Sequence, residues 1–164
     1  MKRSLSLFFV FGCAMLLLQP HFLHSCLVYS FAPFLVRTFY AYSLQQVLWI
    51  SMVCGYLQDI SSSTWPMGFF TCMHLIASFL AYRQKKHFFA DHCVSFACYT
   101  AIYTSLLSGC FLFANIYFAP TLFLSFLLLF CHPFLDAFYA VILYALSIGI
   151  RTTYRAYRIR RRFA

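Results

Sequence analysis

The sequence predicts an all-α membrane protein, built as a polytopic bundle of six transmembrane helices. Of its 164 residues, 63% are hydrophobic and 9% are charged, whereas soluble proteins carry about 25% charged residues. The mean hydropathy is +0.80. So few charges cannot cover the surface of a chain of this length in water, but a lipid bilayer removes that requirement. We therefore expect a single integral membrane domain over residues 1–164, with the lipid bilayer as its surroundings.

Short polar breaks divide the apolar sequence into six runs. A helix needs about 20 apolar residues to cross a bilayer, with a range of roughly 17–25. The weakest break is at 42–46, where Ser43, Gln45 and Gln46 interrupt the apolar sequence. Without a turn at this point, the number of spans falls to five. The predicted spans are 5–18, 26–42, 44–60, 67–82, 93–119 and 121–150.

The first and last runs need separate arguments. The first follows two basic residues and ends at Gln19–Pro20, so a cleaved signal peptide is an alternative to a span. The bulky His24 close to the cleavage point speaks against cleavage. As one helix, the last run would extend about 45 Å against a hydrocarbon core of about 30 Å. We predict one helix kinked near Pro133, because proline disturbs the preceding turn.

The basic residues predict the orientation. The chain has 12 Lys or Arg and 3 acidic residues, for a formal charge of +9. Six spans place all basic residues on one side, including Arg37 and the Arg-rich tail 151–164. Cytoplasmic segments of membrane proteins carry this excess of positive charge. We expect a multi-pass protein of the bacterial inner membrane with both termini in the cytoplasm, and no nucleic-acid partner.

Two stripes of small residues follow helical spacing and predict close helix packing. One lies in the fifth run and consists of Ala97, Ala101, Ser105 and Gly109. In the third run, Ser51 and Gly55 are continued by Asp59. Small residues let helix backbones approach closely in lipid. Packing inside the bundle is the expectation for both stripes, and packing against a partner's helix is the alternative.

Acidic residues inside apolar runs are candidates for structural or functional sites, because an Asp at a helix centre costs roughly 2.5–3.5 kcal/mol on insertion scales. Asp59 lies at the outer end of its run and could cap the segment that follows. His132 precedes Asp136 by one helical turn, so the two form a predicted intramembrane polar pair. Structurally, the pair would brace the kink at Pro133. Functionally, it would be a proton relay or a ligand site.

No motif in the sequence predicts catalysis, a metal or a cofactor. The eight cysteines contain no C-x-x-C pair, which speaks against a thiol oxidoreductase. His87, Asp91 and His92 do not share one helix face and have no evident fourth ligand, so a polar patch next to the membrane is the expectation. The sequence also lacks a nucleophile elbow, a phosphate-binding glycine loop and a paired-carboxylate motif. We expect a protein that is not an enzyme.

The segment 55–70, GYLQDISSSTWPMGFF, carries a Gly four residues before an Asp, then a Ser-rich turn, then a Pro and a Gly entering the next run. This pattern resembles the signature region of the bacterial rod shape-determining protein MreD family. The family's Ser-Gly-Ser turn is Ser-Ser-Ser at 61–63 in this chain. By this resemblance, the family turn would be formed by Gly55, Asp59, Ser63, Pro66 and Gly68, in a structural or partner-binding role.

The resemblance implies a non-enzymatic scaffold subunit of the rod-shape and cell-wall elongation machinery. Its partners would be an MreC-like bitopic protein, an MreB-like actin filament and the peptidoglycan synthases. MreD-like proteins are also similar to the six-helix substrate-binding subunits (S-components) of energy-coupling-factor transporters. A membrane subunit that binds a small, vitamin-type molecule is therefore the alternative function.

Overall fold

The computed structural model describes residues 2–22, 29–62, 66–85, 93–118, 131 and 133–149, and this part of the chain forms six α-helices and no strand. The all-α prediction is confirmed for these residues. In chain order the helices are α1 (Lys2–Phe22), α2 (Ala32–Ala41), α3 (Leu44–Ser61), α4 (Phe69–Gln84), α5 (Cys93–Phe118) and α6 (Pro133–Gly149).

Helices α3, α4 and α5 follow the apolar runs 44–60, 67–82 and 93–119 closely. The weak break at 42–46 is a true helix break, because α2 ends at Ala41 and α3 begins at Leu44. Ser43 precedes the first turn of α3, and its backbone N–H donates a hydrogen bond to Gln46 Oε1 at 3.3 Å. Ser43 and Gln46 form a capping box, in which a Gln in the first turn satisfies a backbone donor before the helix.

Helix α1 extends beyond its apolar run, since it continues through Gln19–Pro20 to Phe22. The break expected at Pro20 does not end the helix. Proline has a helical φ, and in the last turn its missing N–H costs a single backbone hydrogen bond. At 21 residues, α1 is about 31 Å long, which matches the thickness of a bilayer core.

Helix α2 is much shorter than the predicted span 26–42. Residues 29–31 form a turn, in which Ala32 N–H donates to the Tyr29 carbonyl at 2.8 Å, and the helix begins only at Ala32. Pro33 suits this position because the first turn of a helix does not need its N–H. Ten residues make a helix of about 15 Å, roughly half of a bilayer core.

The short helix α2 lies in the centre of the bundle. All of residues 32–39 are buried, and α2 packs against α1, α3 and α5. The Phe39 ring makes edge-on contacts with the Tyr99 and Tyr103 rings of α5, at centroid distances of 5.7 and 5.6 Å. Arg37, expected among the charges of the interior leaflet, is buried on the same helix. A helix buried on all sides is a core element.

The outward faces of the helices are strongly apolar. Trp49 on α3, Phe113 on α5 and Phe134 on α6 are 61%, 71% and 77% exposed. Within the described residues, Cys93–Phe113 is the one helical segment long and apolar enough to cross a membrane, while Leu5–Leu17 and Pro133–Gly149 are shorter apolar helices. Large exposed apolar surfaces fit contact with lipid or with another protein better than contact with water.

The last predicted span, 121–150, is described only in its second part. Residues Pro133–Gly149 are helical and so is Cys131, whereas residues 119–130 and His132 lie outside the described residues. The kink near Pro133 remains a prediction, because residues 119–130 and His132 before it are not described, and the tail 151–164 also lies outside the described residues.

Candidate functional site

Helices α3 and α4 form an antiparallel hairpin, and Gly55 is its point of closest approach. A Cβ atom added at Gly55 would lie 2.6 Å from the Thr71 Cα atom and 3.0 Å from the Phe70 carbonyl oxygen. No side chain fits against backbone at such distances, so only glycine allows the two helices to pack this closely. Ser51 and Asp59, which share the stripe with Gly55, are also buried. The prediction that this stripe packs inside the bundle is confirmed.

Asp59 binds the N-terminus of α4. Its Oδ1 atom accepts a hydrogen bond from the Phe70 N–H at 2.8 Å. Its Oδ2 atom accepts from the Thr71 N–H at 3.1 Å and from the Thr71 hydroxyl at 2.6 Å. Gly68, the residue before α4, has no side chain to cap the helix, so the carboxylate of the preceding helix satisfies the first free donors. The capping role considered for Asp59 is confirmed.

The turn between α3 and α4 contains the other residues of the predicted family turn. Pro66 is exposed, and its carbonyl accepts a hydrogen bond from the Phe69 N–H at 3.2 Å. Gly68 has a φ of +95°, a left-handed conformation that favours glycine. Ser63 lies outside the described residues. The structure therefore brings Gly55 and Asp59 together against α4, with Pro66 and Gly68 at the entrance to that helix.

A chain of buried hydrogen bonds continues from this hairpin into the bundle. His74 Nε2 lies 2.9 Å from Gln58 Oε1, and His74 Nδ1 lies 2.8 Å from the Tyr103 hydroxyl. The Ser78 hydroxyl lies 3.3 Å from the Tyr103 hydroxyl. Since Gln58 Oε1 only accepts, Nε2 of His74 donates to it, and the Tyr103 hydroxyl donates to Nδ1 of a neutral imidazole. These hydrogen bonds join α3, α4 and α5, and they give both ring nitrogens of His74 a partner.

Sequence reasoning did not single out Gln58, His74 or Tyr103. Two of them carry a signal in the sequence, because Gln58 and His74 are polar residues inside apolar runs. An unpaired polar group is costly in such a run. That signal identifies residues that need partners but does not identify the partners. The pairing depends on the rotation of three helices about their axes, which a hydropathy pattern does not fix.

Asp136 is fully buried on α6, and neither carboxyl oxygen completes a hydrogen bond with a described residue. The backbone N–H of Tyr29, in the turn before α2, faces the carboxyl group. The buried Ser108 hydroxyl on α5 faces the Tyr29 side chain, and the Tyr139 hydroxyl on α6 is buried without a hydrogen-bond partner among the described residues. His132, the predicted partner of Asp136, lies outside the described residues. The pair therefore remains a prediction.

The stripe of small residues on α5 turns from the core to the surface. Ala97 is buried, whereas Ser105 is exposed and the position of a Cβ atom at Gly109 has no atom within 4 Å. Ala101, between them, is half-buried. A spacing of four residues advances about 40° beyond a full helical turn at each step, so the stripe winds around the helix. Ala97 therefore packs inside the bundle, whereas at Ser105 and Gly109 the alternative of packing against a partner's helix remains a prediction.

The described polar residues of the α3–α4 hairpin are engaged in helix packing and hydrogen bonding. In the described part of the chain, no group of three or more His, Cys, Asp or Glu side chains is placed to hold a metal ion. His87, Asp91 and His92 lie outside that part. Comparison with known proteins gave no match to a family model, to a curated protein or to a solved structure.

Proposed function

We propose that this chain is a non-enzymatic, multi-pass scaffold subunit of the bacterial inner membrane, similar to the MreD family and acting in rod-shape and cell-wall elongation. The observation that carries the proposal is the hairpin of α3 and α4. Four of the five residues quoted for the family turn lie in its described part, and Gly55 and Asp59 are both used to hold α4 against α3.

The chemistry of Asp59 supports a scaffold over a ligand-binding subunit. Its two oxygens already accept three hydrogen bonds from Phe70 and Thr71, and its side chain is 6% exposed. A carboxylate satisfied in this way by a helix N-terminus has little capacity left for a ligand. Gln58 and His74, which follow it into the bundle, are likewise engaged with each other.

The outward end of the α5 stripe supports a partner-binding role. Ser105 is exposed, and Gly109 has open space in front of it. Small residues at such spacing allow close approach of a second transmembrane helix. We assign this surface to the transmembrane helix of an MreC-like bitopic protein, through which the subunit would join the MreB-like filament and the peptidoglycan synthases.

The proposed topology has six membrane crossings, with both termini in the cytoplasm. The apolar outward faces of α3, α5 and α6 support lipid contact. The short α2 lies in the bundle interior, and residues 29–31 before it form a turn. Non-helical backbone at membrane depth is tolerated where protein surrounds it.

The alternative function, a subunit that binds a vitamin-type molecule for an energy-coupling-factor transporter, rests on the buried Asp136. That carboxyl group and the Tyr139 hydroxyl complete no hydrogen bond with a described residue, and Tyr29 lies beside the carboxyl group. A small-molecule site would have to lie between α5 and α6, away from the hairpin that carries the resemblance.

Depletion of the protein followed by microscopy tests the proposed function. We expect rod-shaped cells to become rounded and wall labelling to become delocalised. The matched rescue variants are Gly109→Leu, on the outward stripe, and Ala145→Leu, at an exposed position of α6. We expect Ala145→Leu to restore shape and Gly109→Leu to fail despite normal membrane levels. Unchanged shape and wall labelling on depletion would contradict the proposal, and dependence on an external vitamin would favour the alternative.

A further inference from the structure

The outward face of α4 is an apolar stripe that ends in a positive charge. Ile76, Phe79 and Leu80 are 52%, 41% and 45% exposed. Arg83 lies four residues after Phe79 and is also exposed. Positions three and four residues apart share one face of a helix, and the opposite face of α4 is buried in the bundle. The helix therefore presents about two turns of uncovered apolar surface with a cation at the C-terminal end.

The Arg83 side chain lies along this stripe. Its guanidinium carbon is 5.0 Å from the centre of the Phe79 ring, so the cation lies over the ring one turn before it. A ring face supplies no oxygen acceptor to the five N–H donors of a guanidinium. Those donors form a planar fork that matches the oxygens of a phosphate group. The contact with Phe79 therefore holds a phosphate-binding group next to the apolar surface.

Lys85, the next basic residue of α4, is engaged inside the fold. Its Nζ atom donates a hydrogen bond to the Tyr82 hydroxyl at 2.6 Å and lies 3.9 Å from the centre of the Tyr82 ring. The Tyr82 hydroxyl donates to the Tyr42 carbonyl at 3.2 Å, which ties the end of α4 to the break between α2 and α3. Residues two apart on a helix do not face each other. Arg83 is therefore the cation of the outward stripe, and Lys85 is an internal cation at the same helix end.

Charge and polarity together select the ligand of this face. The stripe requires an apolar partner, and Arg83 requires an anion. Asp59 caps the opposite end of α4 and Asp136 is buried on α6, so neither of these described carboxylates neutralises Arg83. An anionic phospholipid supplies both parts, because its acyl chains are apolar and its phosphate carries a negative charge that basic residues at a membrane surface attract.

We propose that the outward face of α4 binds a phospholipid with a net negative charge. The phosphate lies on the Arg83 guanidinium, and the acyl chains lie on Ile76, Phe79 and Leu80. The inference rests on the membrane location in the proposed function and adds a partner that the scaffold role does not supply. We expect this face to prefer an anionic over a neutral phospholipid about fivefold, which corresponds to about 1 kcal/mol for one basic residue.

Quenching of a local tryptophan by brominated lipid tests the site in the full chain. The reporter is Leu80→Trp, at an exposed position of the stripe, in a chain that also carries Trp49→Phe and Trp65→Phe. Two vesicle preparations contain equal amounts of phosphatidylglycerol and phosphatidylcholine and differ only in which lipid is brominated. We expect brominated phosphatidylglycerol to quench this tryptophan more strongly. Phe138→Trp, on the exposed face of α6, is the control reporter and should be quenched equally by both lipids.

Three variants in the Leu80→Trp chain make the test specific. Arg83→Gln should abolish the preference for phosphatidylglycerol. Lys85→Gln removes the same charge from the same end of α4, but from a side chain that is engaged with Tyr82, so it should keep most of the preference. Arg83→Lys should give an intermediate preference, because an ammonium group attracts phosphate as a point charge but lacks the planar fork.

Equal quenching by the two lipids at Leu80→Trp would overturn the proposal, and so would a preference that Arg83→Gln leaves unchanged. Equal losses in Arg83→Gln and Lys85→Gln would assign the preference to the general charge of this helix end and overturn the site. If an excess of soluble glycerol phosphate removes the preference, the ligand of Arg83 is a free phosphate ester rather than a lipid.

Insertion into the vesicles separates this proposal from the proposed function. A chain that does not insert would contradict the membrane location, and this inference with it. A chain that inserts but shows no lipid preference would overturn the α4 site alone and leave the cell-shape test untouched.

Discussion

Asp59 and Thr71 are joined by two hydrogen bonds, one from the Thr71 backbone N–H at 3.1 Å and one from its hydroxyl at 2.6 Å, both to the same carboxylate oxygen. The pair connects the last turn of α3 to the first turn of α4. The negative charge lies at the N-terminus of α4, where the helix dipole favours it. This connection gives the α3–α4 hairpin its fixed geometry and is the basis of the first prediction.

Replacement of Asp59 by alanine should destabilise the protein strongly. Phe70 and Thr71 would lose the acceptor of their backbone N–H groups at the start of α4, and we expect a loss of about 2–4 kcal/mol in the free energy of unfolding. Denaturant unfolding in mixed micelles measures this loss. Thr71→Val is the graded control, because it removes only the hydroxyl donor and should cost about 1 kcal/mol. Equal stability of Asp59→Ala and wild type would show that the cap is not needed.

Gly55→Ala should separate α3 from α4. The added methyl group would meet the backbone of Thr71 at 2.6 Å, and backbone atoms cannot move aside as a flexible side chain can. We expect a loss of about 1–3 kcal/mol in the free energy of unfolding, the usual cost of overpacking.

Gly109→Ala is the matched control for Gly55→Ala. No atom lies within 4 Å of the added methyl group, and alanine is the better helix former. We expect Gly109→Ala to leave the stability unchanged or to raise it slightly. If both variants unfold at the same denaturant concentration, the close approach at Gly55 is not the reason for the glycine.

Tyr103→Phe should lower the free energy of unfolding, because it breaks the buried hydrogen bonds between α4 and α5. The substitution keeps the ring but leaves the His74 Nδ1 atom and the Ser78 hydroxyl without their shared partner. Leaving buried polar groups unsatisfied costs about 1–3 kcal/mol. The control is Tyr40→Phe, whose hydroxyl has no partner among the described residues, so its removal should be nearly neutral. A Tyr103→Phe protein as stable as Tyr40→Phe would show that the buried hydrogen bonds of Tyr103 do not stabilise the bundle.

The outlines of the longer helices could be predicted from the sequence because their boundaries carry local chemistry. Ser43 and Gln46 mark the start of α3, and the Gly four residues before Asp59 marks the contact with the following helix. The run 26–42 carries no such signal before Pro33, and its uniform apolarity predicts a longer helix than the ten residues of α2. Hydropathy shows that a segment is buried but not where its helix begins.

The candidate site was predictable only where its residues are close in the sequence. Asp59 caps a helix that begins ten residues later, so the turn chemistry suffices to indicate the contact. The bond between His74 and Tyr103 spans 29 positions and depends on the packing of two helices. The direction of the α5 stripe is also a property of the assembled bundle, because a four-residue spacing fixes the pitch of the stripe but not the face that it leaves exposed.

We propose that the chain crosses the inner membrane six times with its basic residues on the cytoplasmic side. The most direct measurement uses reporter fusions at both chain ends in living cells, with one reporter active only in the cytoplasm and the other only outside the membrane. We expect cytoplasmic reporter activity at the N-terminus and at the Arg-rich C-terminus. Chain ends on opposite sides of the membrane would contradict the six-span topology, and the resemblance to MreD would lose its structural support.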